Sequence, residues 1–323
     1  MRYSSSWKVH QAKENRKSIF SIFLTVVLLF AIISGLSKGF SLSSKLKGAR
    51  WDGTSPFVVA IGSAQPAVFV FGPDSKKIAV LSIGGEILYE SGNSSKPLAK
   101  ISDASAEGTA EALSKTFGAK IDNYIAIKNN DKLNEEKTKA MFKSFASLTT
   151  PLAILTKGYG GEIQETNITR LDALRLWWKL KGLGVKDVHF NDLSFLVEDI
   201  LNVTGQKVLG VDTASLNRQI QKYLQNSKLS SENINITIKN GTGVPGAARL
   251  AASFVTSVGA KVVDVRSANT ISDRTSIVAN QGSFTASYLA KMFKCDINVA
   301  QNSTGIGEIT IDLGQDFARD WFK

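Results

Sequence analysis

The sequence predicts an α/β (α+β) protein: a single N-terminal transmembrane helix, then two α/β domains, the C-terminal one a small module containing a βαβ unit. Three observations predict it. Residues 18–36 carry no charge over 19 positions. Short apolar runs between 57 and 89 alternate with turn residues and lead into a helical stretch and a further strand. Near the C-terminus, 235–259 reads strand, glycine loop, helix, and a second strand, 260–266, follows at once.

Of the 323 residues, 43% are hydrophobic, enough for two modest domains that each bury a core. The net charge of +11 suggests nucleic acid until it is divided along the chain. Residues 1–50 hold nine Lys and Arg against Glu14 alone, so +8 belongs there and +3 remains for all that follows. The basic excess flanks the apolar run, and no nucleic-acid partner is predicted.

At about 1.5 Å per residue, 18–36 crosses most of a hydrocarbon core roughly 30 Å thick. The run is longer than the apolar region of a cleaved signal peptide and is followed by Ser-Gly-Leu-Ser-Lys, so it predicts an uncleaved signal anchor. Arg2, Lys8, Lys13, Arg16 and Lys17 lie before it, which keeps the 1–17 tail cytoplasmic and places the bulk of the chain outside the cell membrane. The single Cys295 cannot form an internal disulfide, and His10 and His189 fall on opposite sides of the span. No metal cluster is predicted.

Residues 37–55 are rich in Ser, Gly and Lys with isolated Leu, Phe and Trp, a stalk whose basic and aromatic groups can rest at a lipid interface. The first α/β domain runs over 56–226. Its apolar runs are 57–61, 67–71, 78–83 and 87–89, with a hairpin turn at 72–77. Residues 103–117 predict a helix stopped by Gly118, and 121–127 a strand. A charged stretch, 128–139, precedes a helical segment; 152–155 reads as a strand and 158–161 as a flexible loop. A helix is predicted over 169–183, with Thr169 as N-cap and Leu171, Leu174 and Trp178 on one face. Residues 203–233 are polar, hold one short helix near 215–224, and read as the join to the second domain, 234–323. In that domain 308–313 alternates as a strand does.

Gly241-x-Gly243-x-x-Gly246, between strand and helix, is a literal dinucleotide pattern, with Asp264 on the next strand as the ribose-binding acid. Pro245 removes an N–H that a pyrophosphate would need, and about 90 residues are too few for both halves of such a fold. Asp264 equally suits the outward face of an edge strand.

Asn240-Gly-Thr-Gly-Val-Pro-Gly-Ala-Ala, then Gly259-Ala-Lys-Val-Val, Thr275-Ser-Ile-Val, 286–293 and the closing 309–317 together resemble the LytR C-terminal domain. That α/β module stands at the ends of LytR/CpsA/Psr cell-envelope proteins, and the resemblance spans about 234–318. It implies a cell-wall glycan or an envelope protein as partner. The loop supplies the candidate ligand residues: Asn240, Gly241, Thr242, Gly243, Gly246 and Arg249.

The first domain, through 78–83, Lys100-Ile101 and 117–127, resembles the frame of the LytR/CpsA/Psr catalytic domain. That resemblance implies transfer of a glycopolymer phosphate from a polyprenyl pyrophosphate to the wall, with arginines and aspartates holding pyrophosphate and Mg2+. Such chemistry needs guanidinium forks and acidic metal ligands. Where the family shows Gly-Ser-Asp-Ser-Arg, this chain has Gly62-Ser-Ala-Gln-Pro66; where it shows Pro-Arg-Asp, it has Gly84-Gly-Glu86. The expectation is a pseudoenzyme without a catalytic set or cofactor. A second reading keeps a divergent Mg2+-dependent phosphotransferase, with Glu86, Asp103, Arg170 and Arg175 as its phosphate and metal site. Oligomeric state is not encoded in any pattern seen.

Overall fold

A computed structural model describes residues 50–91, 94–127, 133–156, 163–201, 207–279, 283–299 and 308–322. The span 18–36, the stalk up to residue 49 and the 158–161 loop lie outside them. Among the described residues no helix is long and apolar enough to cross a membrane. Arg50–Ile168 and Asp172–Lys323 form one compact unit.

The first core is built on a mixed six-stranded sheet, ordered β7-β6-β1-β2-β3-β8. Its strands are β1 (Phe57–Gly62), β2 (Ala67–Gly72), β3 (Lys77–Ser82), β6 (Asn123–Ile127), β7 (Ile163–Thr166) and β8 (Val188–Asp192). β1 and β2 are antiparallel with Val58 opposite Val70, and the expected hairpin turn closes through Lys76 N–H to the Gly72 carbonyl at 2.9 Å. Two smaller ribbons pair β4 (Leu88–Ser91) with β5 (Ser94–Pro97), and β9 (Val197–Leu201) with β10 (Lys207–Val211).

Both faces of the six-stranded sheet are covered, and strand alternation assigns each residue its side. Val58, Ala60, Val68, Val70, Ala79 and Leu81 face one core. That core takes Leu98 from α1 (Leu98–Ala104), Leu113 and Phe117 from α2 (Ala106–Phe117), and Leu216, Ile220 and Leu224 from a later helix, Thr213–Leu224. The helix expected at 103–117 is thus two helices. Ser105 is extended, and its side chain caps the second by accepting from Gly108 N–H at 3.0 Å.

Phe57, Val59, Phe71 and Ile78 face the opposite core, with Phe142 of α3 (Glu135–Phe145), Ile154 of α4 (Thr150–Thr156) and Ala173, Leu176 and Leu180 of α5 (Arg170–Leu180). Three expectations are corrected here. Residues 152–155 lie in a helix, not a strand. On α5 the buried stripe is Asp172, Ala173, Leu176 and Leu180, while Trp178 faces solvent, 62% exposed. Trp51, read as part of a stalk at a lipid interface, is only 6% exposed, with its ring 4.8 Å from that of Phe57.

A further correction concerns 203–233. The helix Thr213–Leu224, here α6, is no linker: its Leu216, Ile220 and Leu224 recur every fourth residue and fill the first core. On its other side Asn217 Nδ2 donates to the Gly118 carbonyl of the first domain at 2.7 Å and to the Ser253 carbonyl of the C-terminal domain at 3.4 Å. A short helix follows, α7 (Ser227–Glu232).

The C-terminal domain has a five-stranded sheet, β12-β11-β15-β13-β14. Its strands are β11 (Asn235–Asn240), β12 (Lys261–Ser267), β13 (Ser276–Ala279), β14 (Asp296–Val299) and β15 (Ile309–Leu313). β11 runs parallel to both β12 and β15. The helices α8 (Ala247–Ser257), α9 (Phe284–Phe293) and α10 (Gln315–Trp321) complete the domain. Phe254, Phe317 and Trp321 meet edge to ring over Ile236, Ile238 and Ile311. The βαβ unit expected from the sequence is β11-α8-β12.

Candidate functional site

Because β11, β12 and β15 are parallel, the segments leaving them emerge at one edge of the sheet. There they are bonded to one another. Gly241 N–H donates to the Leu313 carbonyl at 3.0 Å, Ala268 N–H to the Asn240 carbonyl at 3.0 Å, and Ser272 N–H to the Gly241 carbonyl at 2.8 Å. A Cβ on Gly241 would lie 2.7 Å from the Leu313 oxygen, so only glycine permits this approach.

The signature side chains close the turn from inside. Asn240 Nδ2 donates to the Val244 carbonyl at 2.9 Å, and Asn240 Oδ1 accepts from the Thr242 hydroxyl at 2.7 Å. The Thr242 oxygen in turn accepts from Val244 N–H at 2.9 Å. Asn240, Gly241 and Thr242 are therefore joined to protein atoms. Gly243, Gly246 and Arg249 remain on the outside of the same turn, all exposed, beside Pro245 and an Ile271 that is 65% exposed. Gly246, at φ +84°, sets the left-handed step into α8.

A third loop braces this edge, and the sequence reading missed it. The Asp316 carboxylate accepts from Thr275 N–H at 2.9 Å and from the Thr275 hydroxyl at 2.7 Å, and that hydroxyl oxygen accepts from Gly314 N–H at 3.1 Å. Burial alone would raise the Asp316 pKa, but the Thr275 and Phe317 hydrogen bonds hold it below the ordinary value. Short polar residues 41 positions apart gave no signal of their meeting.

The arrangement does not suit a dinucleotide. Asp264 is opposite Thr237, three residues short of Asn240, which is roughly 10 Å along a strand. It pairs with Arg266 at 3.5 Å on an edge strand.

Of the groups in the phosphotransferase reading, Glu86 and Asp103 are not brought to Arg175. Asp103 is exposed on α1, which lies on one face of the six-stranded sheet, and Glu86 is exposed in the turn before β4, next to Ile87 of that same core. Arg170 and Arg175 belong to α5, which covers the opposite face. Arg175 Nη1 donates to the Trp51 carbonyl. Asp172, on the same helix and 1% exposed, accepts from Arg50 N–H at 3.1 Å and Trp51 N–H at 3.0 Å. Gln65 Nε2 lies 3.3 Å from both Ser82 Oγ and Asp192 Oδ1. Burial alone would raise the Asp192 pKa, but the Ser194 bonds bring it below the ordinary value. Among the described residues no three His, Cys, Asp or Glu side chains could share a metal ion. Glu86 and Asp103 lie across the six-stranded sheet from Arg175 and so do not form one phosphate and metal site with it.

No curated protein matches this chain. Of the solved structures it resembles, Bacillus subtilis TagV is 13% identical, with a TM-score of 0.41 over 53% of this chain and 98% of that one. The Lin1025 protein of Listeria innocua is 15% identical, with a TM-score of 0.38 over 54% of this chain and all, 100%, of that one. TagT with bound octaprenyl pyrophosphate lipid is 12% identical, with a TM-score of 0.36 over 54% and 92%. Likeness this slight carries no argument about the first domain. Residues 233–317, by contrast, match the family LytR_C, the LytR cell envelope-related transcriptional attenuator. The C-terminal domain of this chain is a LytR C-terminal domain.

Proposed function

We propose that this chain is a single-pass cell-envelope protein whose LytR C-terminal domain holds a cell-wall glycan or an envelope protein outside the membrane. In this reading residues 18–36 span the bilayer as an uncleaved signal anchor, 1–17 stay cytoplasmic, and the first domain performs no phosphotransfer. The observation that carries it is the family match over 233–317. The uncharged 19-residue run supports the anchor. The pseudoenzyme part rests on the sequence, where Gly62-Ser-Ala-Gln-Pro66 and Gly84-Gly-Glu86 stand in place of the arginines and aspartates that the resemblance implies.

The binding surface in this reading is the outer side of the signature turn, where Gly243, Pro245, Gly246 and Arg249 are exposed. Asn240 and Thr242 act behind it by fixing the turn. The full chain in nanodiscs, mixed with isolated wall sacculi, should co-sediment, and Arg249→Ala should weaken retention. Retention of no envelope component would remove the binding reading. Magnesium-dependent capture of a polyprenyl pyrophosphate by the same preparation would restore the enzyme.

A further inference from the structure

The signature turn belongs to the site above, and nothing in the structure shows what covers the edge strand β12. The surface at the C-terminal end of α5 carries more.

Leu148, in the loop between α3 and α4, is 87% exposed, and Trp178 is 62% exposed. The two are joined by Trp177, whose Nε1 donates to the Ser147 carbonyl at 2.9 Å and whose ring centroid lies 6.2 Å from that of Trp178. Lys181 Nζ stands 3.1 Å from the Trp178 centroid and 5.7 Å from the Trp177 centroid. Across 143–150 and 176–186 the charged residues are Lys143, Lys179, Lys181 and Lys186, all exposed, with no Asp or Glu. Paired indoles with an ammonium against them, beside a protruding leucine and on segments whose only charges are lysines, match the headgroup layer of an anionic bilayer. Rings lie there at the border of oil and water, and lysine stems reach past them to phosphate.

We infer that Leu148, Trp177, Trp178 and Lys181 form a face that rests on the lipid headgroups of the membrane. This depends on the anchored reading above. The same helix supplies the geometric reason. Asp172 and Arg175 of α5 hold Arg50 and Trp51, the first described residues, and Trp178 follows Arg175 by about one helical turn. Only residues 37–49 separate Arg50 from the end of the span, a reach of at most about 45 Å fully extended. The path from the domain to the span thus begins beside α5. A glycan would need carboxylates or amides to grip its hydroxyls, and neither 143–150 nor 176–186 contains Asp, Glu, Asn or Gln.

The test uses the full chain in vesicles containing phosphatidylglycerol, with Cys295→Ser and a nitroxide label at Leu148→Cys or, as a control in the C-terminal domain, Asn269→Cys. Flotation reports the anchor, and the ratio of oxygen to nickel accessibility reports depth. The expected result is a higher ratio at 148 than at 269, lowered when Lys179 and Lys181 are changed to Glu. Flotation with equal ratios at the two positions overturns this face and leaves the anchor standing. Failure to float overturns both. Shielding of the 148 label by wall polymer but not by lipid would make the patch a sugar platform and overturn it as well.

Discussion

Asp172 accepts the backbone N–H of Trp51 at 3.0 Å across 121 positions of sequence, and Arg175, one turn along the same helix, binds the carbonyl of that same tryptophan. Arg50 and Trp51, the first described residues, are thereby clamped from both sides of one peptide segment, and the Trp51 ring is driven into the core beside Phe57 and Phe71.

Removing the acceptor should be costly. Asp172→Ala leaves two amide donors without their partner, and we expect a loss of about 2–3 kcal/mol of stability, read from urea midpoints. Arg175→Ala should lose about 1–2 kcal/mol, since the Trp51 carbonyl can turn to water. Equal midpoints for Asp172→Ala and the parent would show that the clamp contributes nothing.

The signature turn should respond to substitution as a structural unit. Asn240→Ala removes the bonds to Val244 and Thr242, at an expected cost of about 1–2 kcal/mol and with faster amide exchange at Val244. Gly241→Ala should be worse, because the added methyl meets backbone oxygen, not a mobile side chain. If Asn240→Ala lost sacculus binding with unchanged stability and exchange, the asparagine would be a ligand contact after all.

Acid should loosen the Asp316 brace. Its folded pKa is depressed, so its contribution is complete above the unfolded carboxylate value of about 3.9 and disappears as pH falls through the folded value. We expect Asp316→Asn to be the less stable protein at pH 7 and the gap to close below about pH 4. A gap that does not change with pH would rule the brace out.

Cys295 should be a sluggish thiol. Burial, with help from the charges of Asp316 and Asp296, pushes its pKa up to about 11. At pH 8 its thiolate fraction is on the order of a hundredfold below that of a free cysteine. Iodoacetamide should therefore label it slowly in the native protein and rapidly in urea, and equal rates would contradict the burial.

Much of the C-terminal domain could be read directly, because Ile236 and Ile238 alternate as strand residues and glycines bound α8 on both sides. The first domain was harder where local pattern and tertiary context diverge. Leu216, Ile220 and Leu224 are thinly spread among polar residues, so a window average suggests a linker although their spacing marks a buried helix stripe. β8, β9 and β10 went unpredicted because short segments with polar outward residues, such as His189 and Asn191, carry little alternating signal. Leu174 does pack against the core, but Trp178 faces solvent, and Asp172 lies on the buried side of α5, engaged by amides that no sequence window contains. The candidate site divided in the same way. Its glycines were visible as a motif, whereas the roles of Asn240 and Thr242 needed the folded turn.

The seam along α6 has an evolutionary corollary. Asn217, Gln221 and Ser230 cross it with amide and hydroxyl bonds to the carbonyls of Ser253, Thr256 and Gly259, while the two apolar cores on either side share no residue. Polar bonds of that kind can be re-formed with water when the joint parts. The C-terminal block is thus built as a portable cassette, one that recombination could append to an unrelated carrier without first redesigning either neighbour.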